Sequence, residues 1–134
     1  YNEADSITHV INDIPKHVNE IIVVSNNSTD DTEINARDAG ATVLKESNKG
    51  YGYACLKGMQ HIANQNEKPD IVVFLDGDYS DYPEELTKIT APIINDNIDF
   101  LASEFDKFTV INSSSWQQQS LKTDFEQMLA ITVF

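Results

Sequence analysis

Ile71-Val72-Val73-Phe74-Leu75 is an unbroken apolar run, with Pro69-Asp70 before it and Asp76-Gly77-Asp78 after it. No other stretch constrains the fold of this chain as much. A short run rich in β-branched and bulky residues reads as a strand buried on both faces, and such strands belong to parallel sheets covered by helices. Pro83 followed by Glu84 and Glu85 reads as a helix start. Proline fits the first turn, and acids suit the positive end of the helix dipole. Asp81 is assigned to the same helix start. The acidic pair thus sits where a central parallel strand ends, the edge at which open α/β sheets bind ligands. Two carboxylates one residue apart can hold a hard divalent cation that also takes phosphate oxygens and waters. Asp-Gly-Asp after a strand also makes an ordinary turn, so the metal reading depends on the rest of the chain.

That rest alternates. Ile7, Val10, Ile11 and Ile14 follow helical spacing, with Asp5 or Ser6 as cap and Pro15 as stop. A buried strand is expected over 20–24, then a polar turn over 26–31 in which Ser28 and Asp31 form a variant capping box. A helix follows to Ala39, ended by Gly40. A strand over 41–45 leads through Asn48-Lys49-Gly50 into a helix with Cys55, Met59 and Ile62 on one face. After the strand ending at Asp76 come a helix over 83–94 and a strand over 98–102. Strand and helix alternating at this spacing give an α/β fold, a mostly parallel open sheet with right-handed crossovers. Beyond Ser103 the pattern degrades: 112–115 is a loop, and Leu121, Phe125, Met128, Leu129 and Thr132 suggest an amphipathic helix.

Charge narrows the partners. A net charge of −13, with nine scattered basic residues, argues against a nucleic-acid surface, which needs clustered Lys and Arg. An acidic protein still binds a phosphorylated ligand when a cation supplies positive charge. The lone Cys55 rules out an intrachain disulfide framework and suits a reducing compartment. No apolar run approaches the ~20 residues needed to span a bilayer. Tyr1-Asn2-Glu3 reads as the end of a strand whose residues precede the chain, so a fragment is expected.

In a parallel sheet Tyr1-Asn2-Glu3, Ser25-Asn26-Asn27 and Asp76-Gly77-Asp78 share one edge, and Asn48-Lys49-Gly50 joins them. Gly50 permits close backbone approach, and Lys49 can reach a phosphate or a base edge. Jointly they describe a nucleotide crevice. The residues speak against a dinucleotide site, because no G-x-G-x-x-G follows any strand and Gly50-Tyr51-Gly52 lacks the third glycine.

These segments, in this order, resemble the family 2 inverting glycosyltransferases of the GT-A fold, a Rossmann-like nucleotide-binding core. The carriers are Tyr1-Asn2-Glu3 before a helix, Val23-Val24 closing into Asn26 and Ser28-Thr29-Asp30, Asn48-Lys49-Gly50 with Gly52-Tyr53-Ala54, and Phe74-Leu75-Asp76-Gly77-Asp78. The version here is similar to bacterial members related to polyprenyl-phosphate sugar synthases. The resemblance covers 1–103 and implies a donor core over 1–104, followed over 105–134 by a loop and amphipathic helix that begin the acceptor region.

The resemblance also implies roles. Tyr1 and Glu3 flank the nucleoside, and Asn26 stands where an acid often reads the base edge. Lys49 lies near base or diphosphate, and Asp76 and Gly77 contribute to nucleotide binding. Asp78, with Asp76, ligates Mg²⁺ or Mn²⁺ bridging the diphosphate. The implied partners are a UDP- or GDP-linked sugar and a polyprenyl phosphate or glycan acceptor. The implied location is cytoplasmic or the inner face of the cell membrane, with membrane association through sequence after Phe134. Two departures matter: Ser25-Asn26 replaces a frequent Asp-Asp, and Ala102-Ser103-Glu104 stands where Gly-Ser-Arg is usual. The general base is not legible; Asp106, Asp124 and Glu126 are candidates, and it is expected outside the chain, leaving this fragment alone inactive. A non-catalytic nucleotide-sugar-binding domain and a sugar nucleotidyltransferase stay open as alternatives.

Overall fold

A computed structural model describes residues 1–96, 100–102, 109–112 and 128–133. The apolar runs pair into one sheet of β1 (Glu20–Ser25), β2 (Thr42–Lys45), β3 (Ile71–Asp76), β4 (Phe100–Ala102), β5 (Thr109–Asn112) and β6 (Met128–Val133), in the order β2-β1-β6-β3-β5-β4. β2, β1, β6 and β3 run parallel; β5 is antiparallel to both β3 and β4. The register sets Val23 opposite Val43 and Thr132, and Val73 opposite Ala130 and Val110.

Helices cover both faces because strand side chains alternate. Ile71, Val73 and Leu75 face α1 (Ile7–Asp13) and α4 (Leu86–Asp96), packing with Val10, Ile14, Leu86 and Ile93. On the same side Val23 packs with Ile7, Ile11, Ala36 and Ala41, which brings in α2 (Thr32–Asp38). Ile22, Val24, Val72 and Phe74 point the other way, onto Ala54 and Ile62 of α3 (Tyr51–Ala63). Each fully buried Val, Ile or Leu contributes roughly 1.5–3 kcal/mol. Cys55 and Met59 edge this second cluster, as their spacing with Ile62 implies.

Three local expectations are corrected. The helix read through Thr132 is a strand over Met128–Val133, held between β1 and β3; Leu121 and Phe125 lie outside the described residues. As a strand the run pairs the facing edges of β1 and β3, which a helix there would leave without backbone partners, and its continuous apolar pattern suits a strand buried on both faces. β5, absent from the sequence reading, inserts between β3 and β4. Finally, the Ser28/Asp31 capping box does not form. Asp30 does that work: Oδ1 accepts from the Thr32 amide at 3.1 Å and from the Thr32 hydroxyl. α2 ends as expected, with Gly40 at φ +98° and the Ala41 amide reaching back to the Ala36 carbonyl.

Candidate functional site

Because β1 and β3 are parallel, Ser25-Asn26-Asn27 and Asp76-Gly77-Asp78 leave the sheet on one edge. The 1–4 segment is tied to the β1–α2 turn. The Asn2 amide donates to Ser28 Oγ at 3.3 Å and Asn2 Oδ1 accepts from the Thr29 amide at 2.9 Å. The Glu3 amide donates to Thr32 Oγ1 at 2.8 Å, and Asp30 Oδ2 takes the Ala4 amide at 3.1 Å. Burial pushes the Asp30 carboxyl up, but hydrogen bonds from Thr32 and the Ala4 amide outweigh it and hold the group below its ordinary value.

Ser6 occupies the N-cap position of α1 but makes no capping bond. Its hydroxyl lies 2.8 Å from the Gly77 carbonyl and 3.0 Å from Glu3 Oε2. It thereby joins the N-terminal turn to the acidic loop. The Tyr79 hydroxyl donates to Asp13, and its ring lies 5.8 Å from His9, so α1 holds the far end of that loop too. Among the described residues Asn2, Asn27 and Tyr79 are the non-glycines with positive φ, at 63°, 66° and 62°. All three lie in loops of this edge. Asparagine tolerates that conformation; tyrosine adopts it only where its surroundings impose it.

Asp76 is half-buried and Asp78 exposed, with Asp78 Oδ1 accepting the Ser80 amide at 2.9 Å. Asp81 is not the helix cap the sequence suggested. It is 5% exposed, and its Oδ2 accepts the Asp76 amide at 2.9 Å, while the short 3₁₀ turn Pro83–Glu85 starts from Tyr82. Asp81→Ala removes the acceptor of a part-buried amide, so we expect a loss of about 1–3 kcal/mol in urea unfolding. An unchanged midpoint would show that the loop does not depend on it.

On the same edge of the sheet as the acids, a cleft of about 480 Å³ opens over the ends of β1 and β2. Tyr1, Ser25, Asn27 and Lys49, from three of the segments grouped at this edge, line it, and so do Glu33, Lys45 and Glu46, which sequence reasoning missed. The Lys45 ammonium, 2.8 Å from Glu33 Oε2, holds that carboxyl below its ordinary value against the opposing effect of burial. Tyr51, also missed, opens α3 within electrostatic reach of Asp76 and Asp81. Burial, Cys55 and the carboxylates of Asp76 and Asp81 push its phenol up to about 12.

Asn26 is at the strand end as expected, but its amide is engaged within the protein. Nδ2 donates to the carbonyls of Glu46 at 3.1 Å and Asn48 at 2.6 Å, and Oδ1 accepts the Gly50 amide at 2.8 Å. No N–H of that side chain is left for a base. Asp106, Asp124 and Glu126 lie outside the described residues. Among the described residues no group of three or more His, Cys, Asp or Glu converges to hold a metal, and no helix is long and apolar enough to cross a membrane.

The sequence model of a family described as Glycosyl transferase family 2 matches residues 1–132. The chain is 35% identical over 95 residues to glycosyltransferase AglJ of Haloferax volcanii, covering 69% of this chain and 30% of that protein. It is 28% identical over 120 residues to the UDP-N-acetylglucosamine–dolichyl-phosphate N-acetylglucosaminyltransferase of Methanococcus voltae, covering 75% and 47% respectively. The chain thus spans less than half the length of these curated relatives. A crystal structure of glucosyl-3-phosphoglycerate synthase from Mycobacterium tuberculosis, in complex with Mn²⁺, uridine diphosphate and phosphoglyceric acid, matches 98% of this chain and 65% of its own. The TM-score is 0.70 at 19% identity.

Proposed function

The chain belongs to glycosyl transferase family 2 and has the GT-A fold, and from that premise we propose that it binds the nucleotide sugar of an inverting, metal-assisted sugar transfer. One observation carries this reading: the cleft lined by Tyr1 and Lys49 opens at the sheet edge where β3 also ends in Asp76, and Ser6 ties the N-terminal turn to Gly77 of the acidic loop. The nucleoside sits in the cleft with Tyr1 against the base, and Glu3 stands near base or ribose. Lys49 reaches base or diphosphate, and Asp76, Gly77 and Asp78 border the diphosphate.

The acidic pair fits a hard cation by its chemistry. Both side chains offer oxygen only, and with two protein carboxylates the remaining positions fall to phosphate oxygens and water, the mode Mg²⁺ and Mn²⁺ accept. Bound there, a divalent cation supplies Lewis-acid stabilisation of the departing diphosphate. The protein's part is to fix the nucleotide: Asp81 holds the Asp76 backbone, and α1 braces both ends of the 77–79 loop.

The donor base we propose is uracil. Support comes from the small cleft beside Tyr1, from the UDP donor named for the Methanococcus voltae relative and from the UDP in the fold neighbour. Asn26 no longer contributes to that choice. The acceptor we propose is a polyprenyl phosphate or a glycan; the dolichyl phosphate in the same relative's name supports the first. Residues 105–134 then begin the acceptor region, although β5 and β6 within that stretch pair into the sheet of the 1–104 core. A cytoplasmic location, at the inner membrane face when the acceptor is a lipid phosphate, belongs to the same proposal.

Calorimetric competition of UDP, GDP and TDP, each with Mn²⁺, tests the base. UDP is expected to bind about tenfold more tightly than GDP, roughly 1.4 kcal/mol. A GDP preference overturns the uracil assignment.

A further inference from the structure

We infer that Asn26 is a positioning residue, a buried latch that fixes the 46–50 loop and through it sets Lys49 at the cleft. The inference rests on the nucleotide-binding reading above for Lys49, but the latch is visible without it. Asn26 is 8% exposed, and its side-chain amide makes three bonds to the backbone of one loop, at Glu46, Asn48 and Gly50. Those partners bracket Lys49 on both sides in sequence. The Glu46 amide also donates to the Ser25 carbonyl at 2.9 Å, so the loop is pinned to the end of β1 at its start as well. Gly50 follows Lys49 with φ +131°, a conformation that side-chain-bearing residues rarely adopt. The chain therefore turns from β2 into α3 at the point the Asn26 oxygen holds, and Lys49, the residue before Gly50, lines the cleft.

Chemistry separates this role from base reading. Two carbonyl oxygens face the Asn26 nitrogen, so they require a donor there. A carboxylate at this position has none and would set a charged oxygen against both carbonyls. A residue reading uracil N3–H through its carbonyl oxygen would, in contrast, tolerate or welcome a carboxylate.

The test uses the full chain with UDP and Mn²⁺ as the probe, and hydrogen exchange at the Gly50 amide without nucleotide. Lys49→Ala should weaken UDP about tenfold. Asn26→Ala and Asn26→Asp should each weaken it by a similar factor, and the double variant N26A/K49A should be no weaker than K49A alone. Gly50 protection should survive in K49A, vanish in N26A, which has no acceptor, and fall only in part in N26D, whose carboxylate still accepts the Gly50 amide but repels the carbonyls of Glu46 and Asn48. If N26A does not fold, Asn26→Ser, which keeps one hydroxyl donor, should show intermediate protection and affinity. Wild-type UDP affinity in N26D, retained Gly50 protection in N26A, or additive losses in the double variant would each overturn the inference. If the unsubstituted chain fails to bind UDP, the proposed function falls, and Gly50 exchange still decides the latch.

Discussion

Asp78→Ala is expected to leave the chain folded and to remove the metal dependence of UDP binding. Asp78 is exposed, and losing its bond to the Ser80 amide costs about 1 kcal/mol at most in a solvated loop. The effect on binding is larger because of charge. On a protein of net charge −13, a diphosphate approaching Asp76 and Asp78 without a cation meets repulsion, and with one it meets attraction. Removing one carboxylate should raise the dissociation constant in Mn²⁺ about 100-fold, near 2.7 kcal/mol. In chelator it should leave affinity unchanged or slightly improved, since a repulsive charge has gone. Calorimetry in both conditions reads the crossing. Equal weakening with and without Mn²⁺ would show that Asp78 contacts the nucleotide itself or merely shapes the loop, and the metal assignment would fail.

Much of this was legible before any coordinates. β3 and its acidic end follow from a short apolar run closing in Asp-Gly-Asp, and α1, α2 and α3 follow from helical spacing with Pro15, Gly40 and Gly50 as punctuation. What escaped depended on long-range contacts. Met128-Leu129-Ala130-Ile131-Thr132-Val133 carries the continuous apolar pattern of a central strand, but Leu121 and Phe125 ahead of it completed a helical spacing, and only β1 and β3 on either side decide the matter. Thr109-Val110-Ile111 had β-branched residues enough for a strand, but as three residues without alternation, ahead of the loop read over 112–115, it was too short a run to mark one. Asn26 escaped for a different reason. Its type and position fit a base reader, and its actual partners are backbone atoms of residues 20 to 24 positions away. Ser6 likewise had the identity and place of a helix cap, while its hydroxyl faces Gly77, 71 positions away. Polar side chains with a good local reading can be claimed by a distant backbone.

The largest stability effect is expected from Leu86→Ala, about 2–5 kcal/mol, a large part of a total that is typically about 5–15 kcal/mol. Leu86 opens α4 with no solvent exposure and packs in the cluster of Val10, Ile14, Ile71, Val73 and Leu75. α4 has little local stability to fall back on. Thr87, Ile89, Thr90, Ile93 and Ile94 are β-branched, and Pro92 lies inside the helix without an amide to donate. The Thr90 hydroxyl bonds back to the Leu86 carbonyl at 2.8 Å, competing with the helix ladder it should support. Such a helix is held by its packed face rather than by propensity, so a cavity at its first turn should cost toward the upper end of that range. Ile94→Ala, on the same helix but 42% exposed, serves as the control and should stay within about 0.5 kcal/mol. Urea unfolding of both variants at unchanged slope measures the difference. A Leu86→Ala loss below about 1 kcal/mol would mean that α4 does not seal the sheet beneath the acidic loop.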